Sequence, residues 1–272
     1  MGEVIQNTGP LRLYWWRGEP NFGDVLSSLI VSHVSDRKIA HAGPLECDML
    51  GVGSLIQVMR RNHTEARADG TKPWIWGAGL LHPVPRDFLK HVRVALVRGP
   101  ITAALLGLRR TEFGDPGLLV SKVLRERTGQ NDRVALVPHH SQMDDPEIAR
   151  LAQNEPALQV IDVTQSPESV CHQIAQCRHV ISASLHGLIV ADSYGVPNTW
   201  LSPGKQSHLK YHDYAASIGR PMINPIELTD IPELLQSLKD NDGLNYRGGI
   251  SRACDDLINT FPASLGAPVN TA

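Results

Sequence analysis

HVISASLHGLIVADSYGVPNTW, residues 179–200, holds the pattern that decides how this chain is read. It opens as an apolar, β-branched run. It then passes through Ser182, Ser184, His186 and Gly187, turns helical in character and stops at Gly195-Val196-Pro197. A continuous apolar strand running straight into a helix is the unit of a parallel sheet covered on both faces. Packing alone does not call for a histidine and two hydroxyls at that junction. Backbone N–H groups at such a turn point outward, and the helix dipole favours an anion there. Ser184, Leu185, His186 and Gly187 are therefore candidates for holding phosphate or carboxylate. His186 is also a candidate for moving a proton near neutral pH. The competing reading is a buried cap, with Ser184 as N-cap and His186 satisfying it. Sequence physics leaves both open.

The same strand–turn–helix alternation extends in both directions. LRLYWW (11–16), CDMLGVGSLI (47–56), KPWIWGAGLL (72–81), HVRVALV (91–97) and a short run at EFG (112–114) read as strands. Helical segments follow at 25–35, 57–62, 100–108 and 118–124. After a polar break at 125–133 come strands at 133–140, 158–164, 179–184 and 197–202. Helices are expected at 144–153, 166–177, 185–195, 232–240 and 252–261, with a loose tail at 264–272. Ser166, Pro167 and Glu168 form a helix-start signature. Asp144 is the expected cap of the helix at 144–153. The expected fold is α/β, with two Rossmann-like units facing across a cleft. The units are placed at 1–128 and 129–272, with the last helix packing back on the first. Ligands bind beyond the carboxyl ends of strands in such sheets, and the unusual residues cluster there.

Bulk composition narrows the function. The chain has 272 residues, 42% hydrophobic and 20% charged, with a formal net charge of −2. That suits one large or two small globular domains and argues against a nucleic-acid footprint. Cys47, Cys171, Cys177 and Cys254 form no C-x-x-C pair and read as reduced thiols. No signal peptide or membrane-spanning run is seen, so a cytoplasmic location is expected.

The strand ends supply the other candidates. Arg98, closing a VALV strand before Gly99-Pro100, suits an anion clamp through its bidentate fork; a surface Arg in a turn is the alternative. In NFGD (21–24), Asp24 is either a general base toward a hydroxyl or the cap of the next helix. Gly53, Ser54 and Gly77 lie in Gly-rich turns that let backbone approach a ligand but lack a dinucleotide fingerprint. His139 at a strand end lines the expected cleft, and His139-His140 has no metal-ligand spacing. Lys210 in KYHDY (210–214) suits an anionic or sugar ligand, with Lys205 as its competitor.

In order along the chain, NFGD (21–24), GVGS (51–54), WGAG (76–79), RGPIT (98–102), FGDPGLL (113–119), PHH (138–140), SASLHGLIVADSYGVPNTW (182–200) and KYHDYAASIG (210–219) resemble the polysaccharide pyruvyl transferase family. The likeness is strongest to the bacterial exopolysaccharide members of the xanthan and succinoglycan type. The resemblance implies a fold similar to GT-B glycosyltransferases. It implies transfer of pyruvate from phosphoenolpyruvate to a sugar as a cyclic 4,6-O ketal, with no metal or organic cofactor. The sugar would be on a lipid-linked oligosaccharide, with peripheral contact at the inner face of the cytoplasmic membrane. Phosphoenolpyruvate-binding positions map onto Arg98, His186 and Lys210. In this reading His186 is the general acid and Asp24 the base, while Asn21, Gly53, Ser54, Gly77, His139, Ser184, Leu185 and Gly187 line the substrates. Two rivals stand beside it: a nucleotide-sugar glycosyltransferase on the same fold, and a non-catalytic saccharide-binding protein.

Overall fold

A computed structural model describes residues 9–125, 131–221, 224–238 and 243–267. The first half contains β1 (Leu11–Tyr14), α1 (Phe22–Ser35), β2 (Ile39–His41), β3 (Met49–Leu50), α2 (Ile56–Asn62), β4 (Trp74–Trp76), β5 (Arg93–Leu96), α3 (Pro100–Leu106) and α4 (Val120–Val123). The second contains β6 (Asn131–Val137), α5 (Pro146–Asn154), β7 (Leu158–Val160), α6 (Pro167–Gln176), β8 (Cys177–Ser182), α7 (Leu185–Tyr194), β9 (Asn198–Trp200), α8 (Leu209–Ser217), α9 (Ile231–Ser237) and α10 (Arg247–Thr260). The strands form two parallel sheets, ordered β2-β1-β3-β4-β5 and β7-β6-β8-β9. The fold is thus α/β with two parallel sheets, as the sequence pattern implies.

Strand order reverses direction at β1/β3 in one sheet and at β6/β8 in the other. Those are the switch points where helices leave toward opposite faces and a crevice opens. Both crevices must be positioned, and the core does this. One apolar cluster contains residues of both sheets, including Leu13, Met49 and Trp76 with Ala135, Val137 and Val180. Two further clusters cover the outer faces. Helix α1 packs on α6 across this shared core, and Phe22 N–H donates to Val163 O at 3.0 Å. The NFGD turn is thereby pinned to the second sheet.

Helix α7 is apolar all round, with nine of its ten residues buried, so it is a central helix with no solvent face. Its one acid, Asp192, is buried with partners, as a buried charge must be. Tyr246 and Tyr214 each donate an O–H to it at 2.8 Å, Asn198 donates at 2.7 Å and Arg220 approaches at 3.5 Å. The network ties α7, α8, β9 and α10 into one block. Helix α10 reaches the first sheet as well, where Trp76 Nε1 donates to Leu257 O at 3.0 Å.

Several local expectations are corrected. Residues 112–114 form no strand, because Phe113 N–H donates to the Asp256 side chain and leaves the ladder. Strand β2 carries no apolar run and escaped the pattern. Asp145, not Asp144, caps α5 and accepts from Glu147 N. Helix α10 begins at Arg247, earlier than expected. Residues 263–265 form a 3₁₀ turn, and Ala267 N–H donates to Ser35 O, so this part of the tail is tied down. The expected unit boundary at 128/129 and the tail beyond 267 lie outside the described residues. No helix among the described residues is long and apolar enough to cross a membrane.

Candidate active site

The two switch points open into one cleft of about 310 Å³. The β1 side contributes Trp16, Asn21 and Asp24, and the β3 side Gly53, Ser54 and Leu55. Beyond β6 come His139 and His140, beyond β8 come Ser184, Leu185 and His186, and Arg98 and Lys210 complete the wall. Ten of the residues singled out in the sequence thus share one cavity: Asn21, Asp24, Gly53, Ser54, Arg98, His139, Ser184, Leu185, His186 and Lys210. Lys205 is exposed and does not line it.

Two expected lining residues do not reach the cleft, and packing explains each. Gly77 adopts a left-handed φ of +81°, and a Cβ there would lie 2.4 Å from Pro116. A Cβ on Gly187 would lie 2.3 Å from Ser182 Oγ. Both glycines let neighbouring segments close up, and neither lines the cleft. Trp16, Leu55, Val58, Arg61, Leu81, His140 and Gln206 line the cleft without having been singled out. Trp16 and His140 close the strands expected at 11–16 and 133–140, but β1 ends at Tyr14 and β6 at Val137, which places both beyond the strand ends at the switch points.

Arg98 is no surface turn residue: it is fully buried. Nε donates to Asp213 Oδ2 at 3.1 Å, one Nη to Ser54 Oγ at 2.8 Å and the other to Leu80 O at 3.1 Å. Asp213, also fully buried, accepts from Thr102 N at 2.8 Å and from Thr102 Oγ1 at 2.7 Å. Three of the five guanidinium N–H groups are thereby spent on protein. The remaining donors belong to a charge that lines the cleft. WGAG adds to this mount, because a Cβ on Gly79 would sit 2.2 Å from the guanidinium. Ser54, expected against substrate, lines the cleft and also accepts from Arg98, which it helps orient.

Asp24 does not cap α1. Asn21 does, accepting from Gly23 N at 3.1 Å while its amide donates to Asp24 Oδ2 at 3.1 Å. Desolvation pushes the Asp24 carboxyl up to about 7, against the opposing pull of Lys210 and the Asn21 bond. Lys210 is pushed down to about 8, first by desolvation and then by Arg98. Its Nζ lies 5.2 Å from the Tyr211 ring centroid. Tyr211 stacks on Trp200 and donates its O–H to Ala183 O, which fixes α8 against the end of β8. Lys210 forms no salt bridge within the described residues.

Ser184 stands at the N-cap position of α7 but makes no side-chain cap bond. Ser182 does that work: its Oγ accepts from Ser184 N at 3.0 Å and donates toward Val137 O and Ser184 O. The turn is thus capped from below, which leaves Ser184 Oγ and His186 to the cleft. Desolvation, reinforced by Lys210 and Arg98, pushes the His186 imidazole down to about 3. Its Nε2 is buried without a hydrogen-bond partner among the described residues. His139 is likewise pushed down to about 4 by burial and by Lys210, with Nδ1 2.8 Å from Ser141 Oγ. The cleft therefore brings together two cationic side chains, neutral imidazoles and one carboxyl poised near neutrality. A perturbed, converging set of this kind is suited to binding an anion and moving protons beside it.

Comparison with known proteins agrees with this geometry. The chain is 22% identical over 249 residues to uncharacterized protein L143 of Acanthamoeba polyphaga mimivirus, covering 86% of this chain and 81% of that protein. It is 27% identical over 229 residues to the succinoglycan biosynthesis protein ExoV of Rhizobium meliloti, covering 78% of this chain and 67% of ExoV. Among solved structures, UDP-GlcNAc 2-epimerase of Methanocaldococcus jannaschii superposes with a TM-score of 0.52 at 12% identity, over 93% of this chain and 99% of that one. That likeness places the fold among GT-B-like architectures. The polysaccharide pyruvyl transferase model matches residues 12–205, which takes in both switch points and every lining residue except Gln206 and Lys210, and the chain belongs to the polysaccharide pyruvyl transferase family.

Proposed function

We propose that this enzyme transfers the pyruvyl group of phosphoenolpyruvate to a saccharide of an exopolysaccharide repeat unit, closing a cyclic ketal and releasing phosphate. The observation that carries this reading is the convergence of Arg98, Lys210 and His186 on one cleft opposite Asp24. Phosphoenolpyruvate brings a carboxylate and a phosphate, and Arg98 and Lys210 are the cations that receive them.

Burial keeps the imidazole of His186 neutral at pH 7, so its proton must arrive with the substrate. Raising it from about 3 to neutrality takes roughly 5.5 kcal/mol. A unit charge about 4 Å away contributes roughly 4 kcal/mol at an effective dielectric of about 20, so a bound phosphate dianion supplies enough. His186 then protonates the methylene carbon, and C2 gains oxocarbenium character. One sugar hydroxyl adds to C2 as Asp24 takes its proton. The C2–O bond to phosphate breaks with its electron pair, stabilised by Arg98 and Lys210. A second hydroxyl closes the ring. Of the two hydroxyl protons released, one ends on the new methyl group and one on phosphate. The reaction so written calls on no metal or organic cofactor.

The favoured acceptor is a lipid-linked oligosaccharide modified as a 4,6-O ketal, worked on at the inner face of the cytoplasmic membrane. Four buried free thiols, Cys47, Cys171, Cys177 and Cys254, suit a reducing compartment. The test is ligand-induced thermal stabilisation. Phosphoenolpyruvate should raise the melting temperature of the wild type and not of Arg98→Ala. Stabilisation by nucleotide sugars but not by phosphoenolpyruvate would transfer the chain to a glycosyltransferase reading.

A further inference from the structure

The anion pole of the cleft leaves one wall unexplained. Trp16 stands two residues beyond β1, lines the cleft and is 46% exposed, whereas its neighbour Trp15 is buried against His41. The exposed ring is nonetheless held in place. A Cβ on Gly18 would fall 2.3–2.8 Å from Cζ2, Cε2 and Nε1 of Trp16, so the chain doubles back and packs its backbone on the indole. The indole N–H has no hydrogen-bond partner among the described residues. Trp16 also belongs to the same β1–α1 connection as Asn21, and Asp24 follows in the first turn of α1.

We propose that Trp16 is the acceptor platform, on which the sugar ring to be modified stacks with its hydroxyls turned toward Asp24. This rests on the acceptor being a saccharide. A pyranose presents an apolar face of C–H groups and a polar rim of hydroxyls. A fixed indole matches both, with its ring face for the C–H groups and its free N–H for a hydroxyl. Loss of such a contact weakens affinity by roughly three- to tenfold. The platform selects by shape: a sugar with an axial hydroxyl on the stacked face lifts off the ring.

Two measurements test the proposal. The first is fluorescence titration with methyl glucoside, methyl mannoside and methyl galactoside. Trp15, Trp76 and Trp200 are buried, and the half-buried Trp74 lies on β4 and does not line the cleft, so comparison with Trp16→Phe isolates the contribution of Trp16 to the emission. At least one glycoside should shift the emission of the wild type, and Trp16→Phe should abolish that shift. The second is steady-state kinetics by phosphate release. Trp16→Ala should raise the acceptor KM about three- to tenfold with the phosphoenolpyruvate KM unchanged, and Trp16→Phe should recover most of the loss. An unchanged acceptor KM in Trp16→Ala, or no emission shift with any glycoside, would overturn the platform. A wild type that binds glycosides through Trp16 but releases no phosphate would instead overturn the pyruvyl donor reading. Equal melting temperatures of the three proteins exclude a folding defect.

Discussion

Gly23→Ala puts the geometry of the cleft to a sharp test. Gly23 lies in the first turn of α1 with an ordinary helical φ, so Ala suits its backbone and should gain up to about 1 kcal/mol of helix propensity. The neighbourhood forbids it. The added Cβ would lie 1.9 Å from His186 Nδ1, 2.4 Å from its Cγ and 2.7 Å from its Cβ. Turning the imidazole relieves the first two contacts but cannot move Cβ, which the backbone fixes. Ordinary contacts begin at 3.4 Å and the fixed Cβ contact is 2.7 Å, so the first turn of α1 must part from the β8–α7 turn by about 0.7 Å. Overpacking of this kind costs about 1–3 kcal/mol, partly offset by the propensity gain. The chemistry should suffer far more, because a misplacement of about 1 Å lowers rates by roughly 10²-fold. The assay is turnover by phosphate release, read beside the melting temperature. Gly248→Ala is the control: it is helical, with open space at its Cβ. The expected result is a Gly23→Ala protein that is folded, slightly destabilised and slowed roughly 10²-fold, with Gly248→Ala unaffected. Near-normal turnover in Gly23→Ala would refute the claim that Asp24 and His186 are held in one working arrangement.

Further outcomes follow from the same site. Asp213→Ala leaves the buried Arg98 charge uncompensated and should cost about 3–5 kcal/mol in chemical denaturation. Asp213→Asn should keep more of the stability yet raise the phosphoenolpyruvate KM, as Arg98 loses its orientation. In kcat/KM for phosphoenolpyruvate, activity should rise as Asp24 ionises near pH 7 and fall as Lys210 loses its proton near pH 8. Lys210→Arg should move the alkaline limb upward. The folded carboxyl of Asp24 also holds its proton where the unfolded one has lost it. Stability should therefore fall as pH rises from about 4 to about 7, and Asp24→Asn should flatten that slope in thermal melts. Phosphoenolpyruvate binding at pH 7 should take up a proton, seen by calorimetry in buffers of different ionisation enthalpy. That uptake should vanish in His186→Ala, because the free imidazole sits near 3.

Much of this site was legible before any coordinates, for identifiable reasons. The β8–α7 turn announced itself because polar groups interrupted an apolar run at a strand end, where parallel sheets place ligands. Alternation of strand and helix implied parallel sheets, and the carboxyl-end rule then gathered Asn21, Asp24, Gly53, Ser54, His139 and His186 on one side. The partners of those residues were not legible. Asp213 and Arg98 are 115 residues apart, and nothing local tells a carboxylate that will orient an arginine from one on a solvated helix. The roles of Ser54 and Ser182 have the same origin, since a hydroxyl that mounts a neighbour has the same composition as one that binds substrate. Gly77 and Gly187 misled because close packing and ligand approach both demand glycine. The neutral state of His186 comes from burial in three dimensions among cations distant in sequence.

Conversion of phosphoenolpyruvate and a sugar diol into a ketal is the reaction proposed for this cleft. The most direct measurement follows phosphoenolpyruvate labelled with ¹³C at C2 by NMR, together with released phosphate, in the presence of an oligosaccharide acceptor. A quaternary ketal carbon bonded to two sugar oxygens should form in step with phosphate and be lost in Arg98→Ala and His186→Ala. Label that stays in phosphoenolpyruvate, or that appears only as free pyruvate while the acceptor is unchanged, would contradict the proposed reaction.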